Sequence, residues 1–374
     1  MKDQMESNKS VLAPGDQAVS FAELFFDLVF VFCVTQVVHL LHGAFDLVHA
    51  GRALLIFWLV WWAWTQFTWA LNAADTTHNR VQIATLIATA FAFFMAISIP
   101  QSFDTTAWWF GGFYVAVRGI GLLIYLWVTW SHTQMRAAVK SFGAFSVAGL
   151  IAVFMGGILG GSWQYAFWGL AILLDILAAT IGGKNDGWNL HPSHFAERHG
   201  LFVIIALGET LIVAAAGAAA ESWDGQLITV AILAVGMTTA FWWMYFYKIK
   251  DHLEHHMASA IGSQQSMMGR DVFSLFHFPM MFGLIVYAYA IGEAMLHPYD
   301  PLSADARFAL ALGITLYSLS IVLAYWRATG IWKWLRIAMT LIIATVCMLI
   351  PDVQPLWTFS IAFSGLLLMC ATHT

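Results

Sequence analysis

The chain has 374 residues, of which 60% are hydrophobic and 10% charged, with a formal net charge of −5 and a mean hydropathy of +0.75. A soluble domain carries about 25% charged residues, and burying a core of this size would still require a charged surface. The composition therefore excludes a soluble protein, and charges scattered without a basic stripe exclude a nucleic-acid partner.

The first 19 residues are polar and read as a cytoplasmic N-terminal segment. They lack the apolar stretch of a cleavable signal peptide, so the first span is expected to serve as the targeting signal. A helix crossing a bilayer core needs about 20 apolar residues. Runs of that kind lie near 20–42, 51–71, 79–99, 107–132, 141–160, 163–183, 196–219, 225–247, 271–296, 304–326, 331–349 and 354–372. The expected fold class is all-α, a polytopic integral membrane protein with about twelve transmembrane helices. Its shortest spans are 141–160, 331–349 and 354–372.

Lysine and arginine gather on the cytoplasmic side of a membrane protein. With the N-terminus inside, Lys2, Lys9, Arg80, Arg136, Lys140, Lys184, Arg198, Lys248, Lys250, Arg270, Arg327, Lys333 and Arg336 all fall inside. Only Arg52 and Arg307 fall outside, and Arg118 lies within a span. Both termini are thus expected in the cytoplasm.

Phe21-Ala22-Glu23 opens span one and Phe195-Ala196-Glu197 opens span seven. Spans two and eight carry late aromatic clusters, Trp61-Trp62-Ala63-Trp64 and Trp242-Trp243-Met244-Tyr245. These correspondences predict a parallel six-plus-six repeat. Its first half would be 20–183, joined by a cytoplasmic link at 184–195 to a second half at 196–374. The tryptophans of span two read as interfacial belt residues or, alternatively, as the lining of a cavity.

A charge at the bilayer centre costs about 3 kcal/mol on insertion scales, so intramembrane charges face the bundle interior and find partners. Glu23 and Asp27 lie one turn apart on one face of span one. Ser20-x-x-Glu23 also has the form of a capping box. Asp175 lies in span six at a depth like that of Asp27, and Glu197 sits at the mouth of span seven. Glu209 and Arg118 lie near mid-membrane, and His277 in the cytoplasmic half of span nine. Arg118 is read as the one cation at depth, pairing with Glu209, Asp175 or Asp27. Such a pair can simply fix helix packing. A surplus of carboxylates around one arginine, some holding a proton, instead suits a proton- or cation-coupled carrier. The expected substrate- or ion-binding set is Asp27, Glu209, Arg118, Asp175, Glu23, Glu197 and His277.

His39, His42, Asp46 and His49 have helical spacing at the outer end of span one, and His191 and His194 precede span seven. Histidine and carboxylate at such spacings can hold zinc or a similar ion; polar residues at an interface or in a solvated link are the alternative. Cys33, Cys347 and Cys370 fall in apolar runs and read as buried thiols. No phosphate-binding loop, dinucleotide fingerprint or hydrolase motif is present, so no catalytic residue and no cofactor is assigned.

Glu23-Leu24-Phe25-Phe26-Asp27-Leu28-Val29-Phe30-Val31 resembles the opening signature of the bacterial low temperature requirement A family. His194-Phe195-Ala196-Glu197-Arg198, followed by Leu207-Gly208-Glu209, resembles a second stretch of it. His199-Gly200 departs from the pattern, which has a bulkier residue before the glycine. The resemblance covers nearly the whole chain. It implies a polytopic protein of the bacterial cytoplasmic (inner) membrane, in a family named for a cold-growth phenotype and without an agreed activity. Together with the acids, it leads to the expectation of a secondary transporter or permease, whose partners are the lipid bilayer and a small solute or ion. The alternatives are a non-catalytic sensor or scaffold, and a membrane-embedded lipid- or metal-dependent enzyme.

Overall fold

A computed structural model describes residues 11–15, 17–41, 45–183, 188–219, 223–350 and 353–372. In chain order the helices are α1 (Phe21–His39), α2 (Leu47–Ala73), α3 (Asn79–Ser98), α4 (Ala107–Thr129), α5 (Thr133–Leu159), α6 (Gly161–Gly182) and α7 (Pro192–Ala219). They continue with α8 (Gly225–Phe246), α9 (Ile249–Ser259), α10 (Ser263–Met268), α11 (His277–Leu296), α12 (Ala304–Thr329), α13 (Trp334–Leu349) and α14 (Pro355–Ala371). Hydrocarbon offers no hydrogen bonds to the backbone, so an apolar chain of this kind satisfies its peptide groups within helices.

Among the described residues, ten helical segments are long and apolar enough to cross a membrane, and α13 and α14 are shorter apolar helices. This is the expected all-α polytopic architecture. Two segments run beyond a single span. α8 leads through α9 into a 35-residue stretch, Gly225–Ser259. α10 leads through a π-helical turn, Gly269–Leu275, into α11, making 34 residues from Ser263 to Leu296. The run at 141–160, expected to be among the shortest, belongs to the 27-residue α5. Residues 133–140 mix polar and apolar side chains but are mostly good helix formers, so the helix starts before the continuous apolar stretch does.

The chain forms two compact units, each discontinuous in sequence. The first comprises Met1–Cys33, Trp58–His199 and Met257–Arg270; the second comprises Val34–Phe57, Gly200–His256 and Asp271–Thr374. Within the first unit, α3 packs on α4, α4 on α5 and α5 on α6, a sequential chain of neighbours. Within the second, α8 contacts α11, and the series α11, α12, α13, α14 returns to α8, closing a circuit.

The closest backbone-to-backbone approach in that circuit is between α11 and α12. A Cβ on Gly283 would lie 2.9 Å from the carbonyl oxygen of Gly313, and a Cβ on Gly313 would lie 2.8 Å from that of Gly283. Both obstacles are backbone, which no rotamer change can move. Small residues at such crossings let membrane helices gain van der Waals contact where burial from water supplies no drive. Gly283→Leu and Gly313→Leu are each expected to destabilise the protein by at least about 1–3 kcal/mol through overpacking. A thermal melt of the detergent-purified protein checks this; unchanged melting would show that the helices can separate freely.

Aromatic residues fill the first unit. Trp61, Trp62 and Trp64 are buried, not displayed to lipid in a belt. Their counterparts in the second motif, Trp242 and Trp243, are exposed. The difference is one of environment: α2 is packed on all sides along this stretch, whereas α8 presents a face outward.

Candidate functional site

Two fully buried charge networks lie in the first unit. The first begins at the N-terminus of α1, where Ser20 and Glu23 form the reciprocal capping box. The Ser20 amide and hydroxyl each donate to Glu23 Oε2 at 2.9 Å, and the Glu23 amide reaches Ser20 Oγ at 3.4 Å. This uses one carboxylate oxygen of Glu23 and leaves Oε1 for α7.

α7 starts at Pro192, whose missing N–H is no loss in a first turn. Starting there, rather than at Phe195, places His194 and Arg198 one turn apart on the same face. Glu23 and Asp27 have the same spacing on α1. The two pairs meet as complementary rungs. His194 Nε2 lies 3.1 Å from Glu23 Oε1, and Arg198 Nη1 donates to the same oxygen at 3.3 Å. Arg198 Nη2 donates to Asp27 Oδ1, which also accepts from the Trp64 indole at 2.7 Å. The guanidinium sits 5.7 Å from the Trp64 ring centroid, in cation–π range. Glu23 is 1% exposed; Asp27, His194 and Arg198 are completely covered.

Asn72 sets the proton on His194. Its Oδ1 accepts from the His191 amide at 2.8 Å and its Nδ2 donates to the His191 carbonyl at 3.0 Å. With the amide orientation fixed by those two contacts, the Nδ2 group also faces His194 Nδ1 at 3.0 Å, and Nδ1 must accept. The ring proton therefore sits on Nε2, the nitrogen 3.1 Å from Glu23 Oε1. His199 is placed beside this network, with Nδ1 at 2.8 Å from the Phe195 carbonyl and its ring edge-on to Trp64 at 4.9 Å.

The charges do not balance. Glu23 and Asp27 contribute two negative charges, Arg198 one positive, and neutral His194 none. A buried network stabilises ions only when they are paired and their lone pairs are satisfied. Yet Asp27 Oδ2 is buried and accepts no hydrogen bond among the described residues. One further proton or one cation brings the cluster to neutrality.

The second network balances in charge, one arginine against one carboxylate, although Asp175 Oδ2, like Asp27 Oδ2, is buried without a hydrogen-bond partner among the described residues. Arg118 Nη1 donates to Asp175 Oδ1 at 2.8 Å and to Tyr114 at 2.8 Å. Its Nε donates to Gln66 Oε1 at 2.7 Å, and Nη2 reaches Ser146 at 3.3 Å. Gln66 returns a hydrogen bond to the Arg118 carbonyl. Of the three partners left open for Arg118, the structure selects Asp175, and it joins α2, α4, α5 and α6 through one guanidinium.

The remaining candidates are not members of these networks. Glu209, nearly buried, faces Thr35 and His39 within the second unit. Glu197 is exposed on α7. His277 is buried, with Nδ1 donating to the Val272 carbonyl at 2.8 Å and Nε2 accepting from Tyr245 at 2.7 Å. Both of its nitrogens are thereby engaged, and its Nδ1 bond ties α11 to the π-helical turn. Among the described residues no group of three histidine, cysteine, aspartate or glutamate side chains is arranged to hold a metal. α1 ends at His39, and His42 lies outside the described residues. Asp46 caps α2, its Oδ1 accepting from the amides of His49 and Val48 and lying 2.8 Å from the His49 ring. The His49 backbone bond, followed by its ring, holds the Asp46 carboxyl below its ordinary pKa. His191 engages Asn189 through Nε2, and its backbone is held by Asn72.

Sequence reasoning missed Arg198 as a buried cation. The available signal was the pair of matching four-residue spacings, acidic at 23 and 27 and basic at 194 and 198, in two helices with similar openings.

The family model described as Bacterial low temperature requirement A protein (LtrA) matches residues 18–371. A protein of Rhizobium meliloti (strain 1021), titled uncharacterized protein RA0937, is 27% identical over 318 residues, which cover 78% of this chain and 73% of the relative. No solved structure matches the chain.

Proposed function

Given that the chain belongs to the bacterial low temperature requirement A family, we propose that this multi-pass membrane protein is a secondary transporter or permease of the cytoplasmic membrane, worked by the Glu23–Asp27–His194–Arg198 cluster. The observation that carries the reading is the unbalanced charge of that cluster. Two carboxylates share one arginine, and a histidine with a defined tautomer lies within 3.1 Å of one of them. A cluster that is neutral only with one more positive charge can exchange a proton or a small cation as its surroundings change. Helix packing alone is served as well by a balanced pair, of which Arg118–Asp175 is the example. The positive-charge bias puts the cluster near the cytoplasmic face, where it would act as an entrance.

The test uses sealed proteoliposomes holding a pH-sensitive dye, with proton, sodium and potassium gradients imposed in turn. Vesicles with the wild-type protein are expected to dissipate at least one gradient faster than empty vesicles. Asp27→Asn is expected to slow that flux at least about tenfold, a loss of about 1.4 kcal/mol in the barrier. Flux no faster than in empty vesicles under all three gradients would overturn the proposal and leave the sensor or scaffold reading in its place.

A further inference from the structure

A basic cavity of about 330 Å³ in the second unit is independent of the carboxylate cluster. Lys248 just after α8, Lys333 just before α13 and Arg336 within α13 supply three positive charges, and His252 of α9 adds an imidazole ring. No carboxylate is among the described residues lining it. Lys248 Nζ lies 5.1 Å from the Tyr247 ring centroid and Lys333 Nζ 4.6 Å from that of Tyr325, so aromatic faces hold both ammonium groups at the rim. Arg336 is the deepest of the three, only 8% exposed. Its Nε and Nη1 are buried and have no hydrogen-bond partner among the described residues. A covered guanidinium without an anion is costly, and its planar fork matches a phosphate in two bonds.

An apolar groove of about 460 Å³ adjoins this cavity and shares Trp243 and Cys370 with it. The groove follows Gly236, Thr239 and Ala240 of α8 opposite Phe363 and Leu367 of α14. Its residues are spaced at three and four along both helices, so it runs lengthwise along the apolar part of the spans. A soluble phosphate would fill the cavity and leave the groove unused. A phospholipid uses both, with its phosphate on the basic residues and an acyl chain between α8 and α14. Phosphatidylcholine would bring a quaternary ammonium into a cavity already rich in cations, which disfavours it. We infer that this is a binding site for an anionic phospholipid, recognised by Arg336, Lys333 and Lys248.

The experiment is native mass spectrometry of the full-length protein in detergent, titrated with dioleoyl phosphatidylglycerol or dioleoyl phosphatidylcholine. Phosphatidylglycerol is expected to form a one-to-one adduct at a concentration about tenfold or more below that required for phosphatidylcholine. Arg336→Gln should remove most of that preference. Lys248→Gln and Lys333→Gln, at less buried positions where folding is not at risk, should each weaken phosphatidylglycerol binding about fivefold. Thr239→Trp, which fills the groove, should weaken it as well, whereas inorganic phosphate and glycerol 1-phosphate at the lipid concentration should not displace the adduct. Equal binding of the two lipids, or binding unaffected by the lysine variants, would overturn the inference. So would displacement by either soluble phosphate, which would assign the cavity to a free anion.

Discussion

Replacing Arg198 with methionine is expected to destabilise the protein by about 3–5 kcal/mol, the cost of removing one partner from a buried ionic network. The effect should lie at the upper end of that range, because one guanidinium serves two carboxylates, Glu23 and Asp27. Methionine keeps the aliphatic packing beneath Trp64 and removes only the charge and its donors, so the loss reports on electrostatics rather than volume. Arg198→Lys should recover part of the stability but not all of it. An ammonium group is a compact charge without the planar fork that reaches Glu23 through Nη1 and Asp27 through Nη2. Melting temperature and the monodisperse fraction in detergent measure both variants. Wild-type melting of Arg198→Met would show that the acids are compensated by something other than this arginine.

The second large effect concerns Arg118. Arg118→Met is expected to cost about 3–5 kcal/mol, leaving Asp175 buried without its cation. The double variant Arg118→Met/Asp175→Leu should regain most of that loss, since replacing both partners of a buried pair by apolar groups of similar size is often neutral. The interaction between the two substitutions should therefore be large and of opposite sign to their separate effects. The same remedy should fail at the first network, where no single neutral substitution balances what Arg198 leaves behind. If the double variant is as unstable as Arg118→Met, the hydrogen bonds to Tyr114, Gln66 and Ser146 carry the stability instead of the ion pair. A stable double variant with impaired flux would give Arg118 a part in transport that its geometry alone does not require.

The sequence revealed the spans because apolar composition is a one-dimensional property, and every expected run overlaps a helix. It revealed the Ser20–Glu23 box for the same reason: both partners sit within a single turn. Partner choice between helices was a different matter. Arg118 has three acids within plausible depth, and only the packing of α4 on α5 and of α5 on α6 brings it to Asp175. The sequence assigns Arg198 to the cytoplasmic side because the apolar run starts only near residue 196, whereas the helix starts at Pro192 and buries His194 and Arg198 in its first turns. The tandem Phe-Ala-Glu motifs look equivalent on paper, but Glu23 is buried and Glu197 is exposed. What distinguishes them is the neighbour: α1 meets the basic face of α7, and the exposed side of α7 carries Glu197. The buried tryptophans of α2 follow the same rule, since an indole suits a membrane edge and a dense core equally well and only the surroundings decide.

The long loop closed by the Glu23–Arg198 contact has a consequence in time. Arg118 and Asp175 are separated by 57 residues, so both are made within the first six helices. Glu23 and Arg198 are separated by 175. At about 5–20 residues per second of synthesis, the acids of α1 are made about 9–35 s before the arginine that matches them exists. During that interval the nascent chain holds two carboxylates on its first helix with no cation of their own. The first helix thus waits, after the Arg118–Asp175 pair is already made, for the seventh helix to supply its cation, and a ribosome stalled between α6 and α7 would present it in that unfinished state to whatever quality control surveys the membrane.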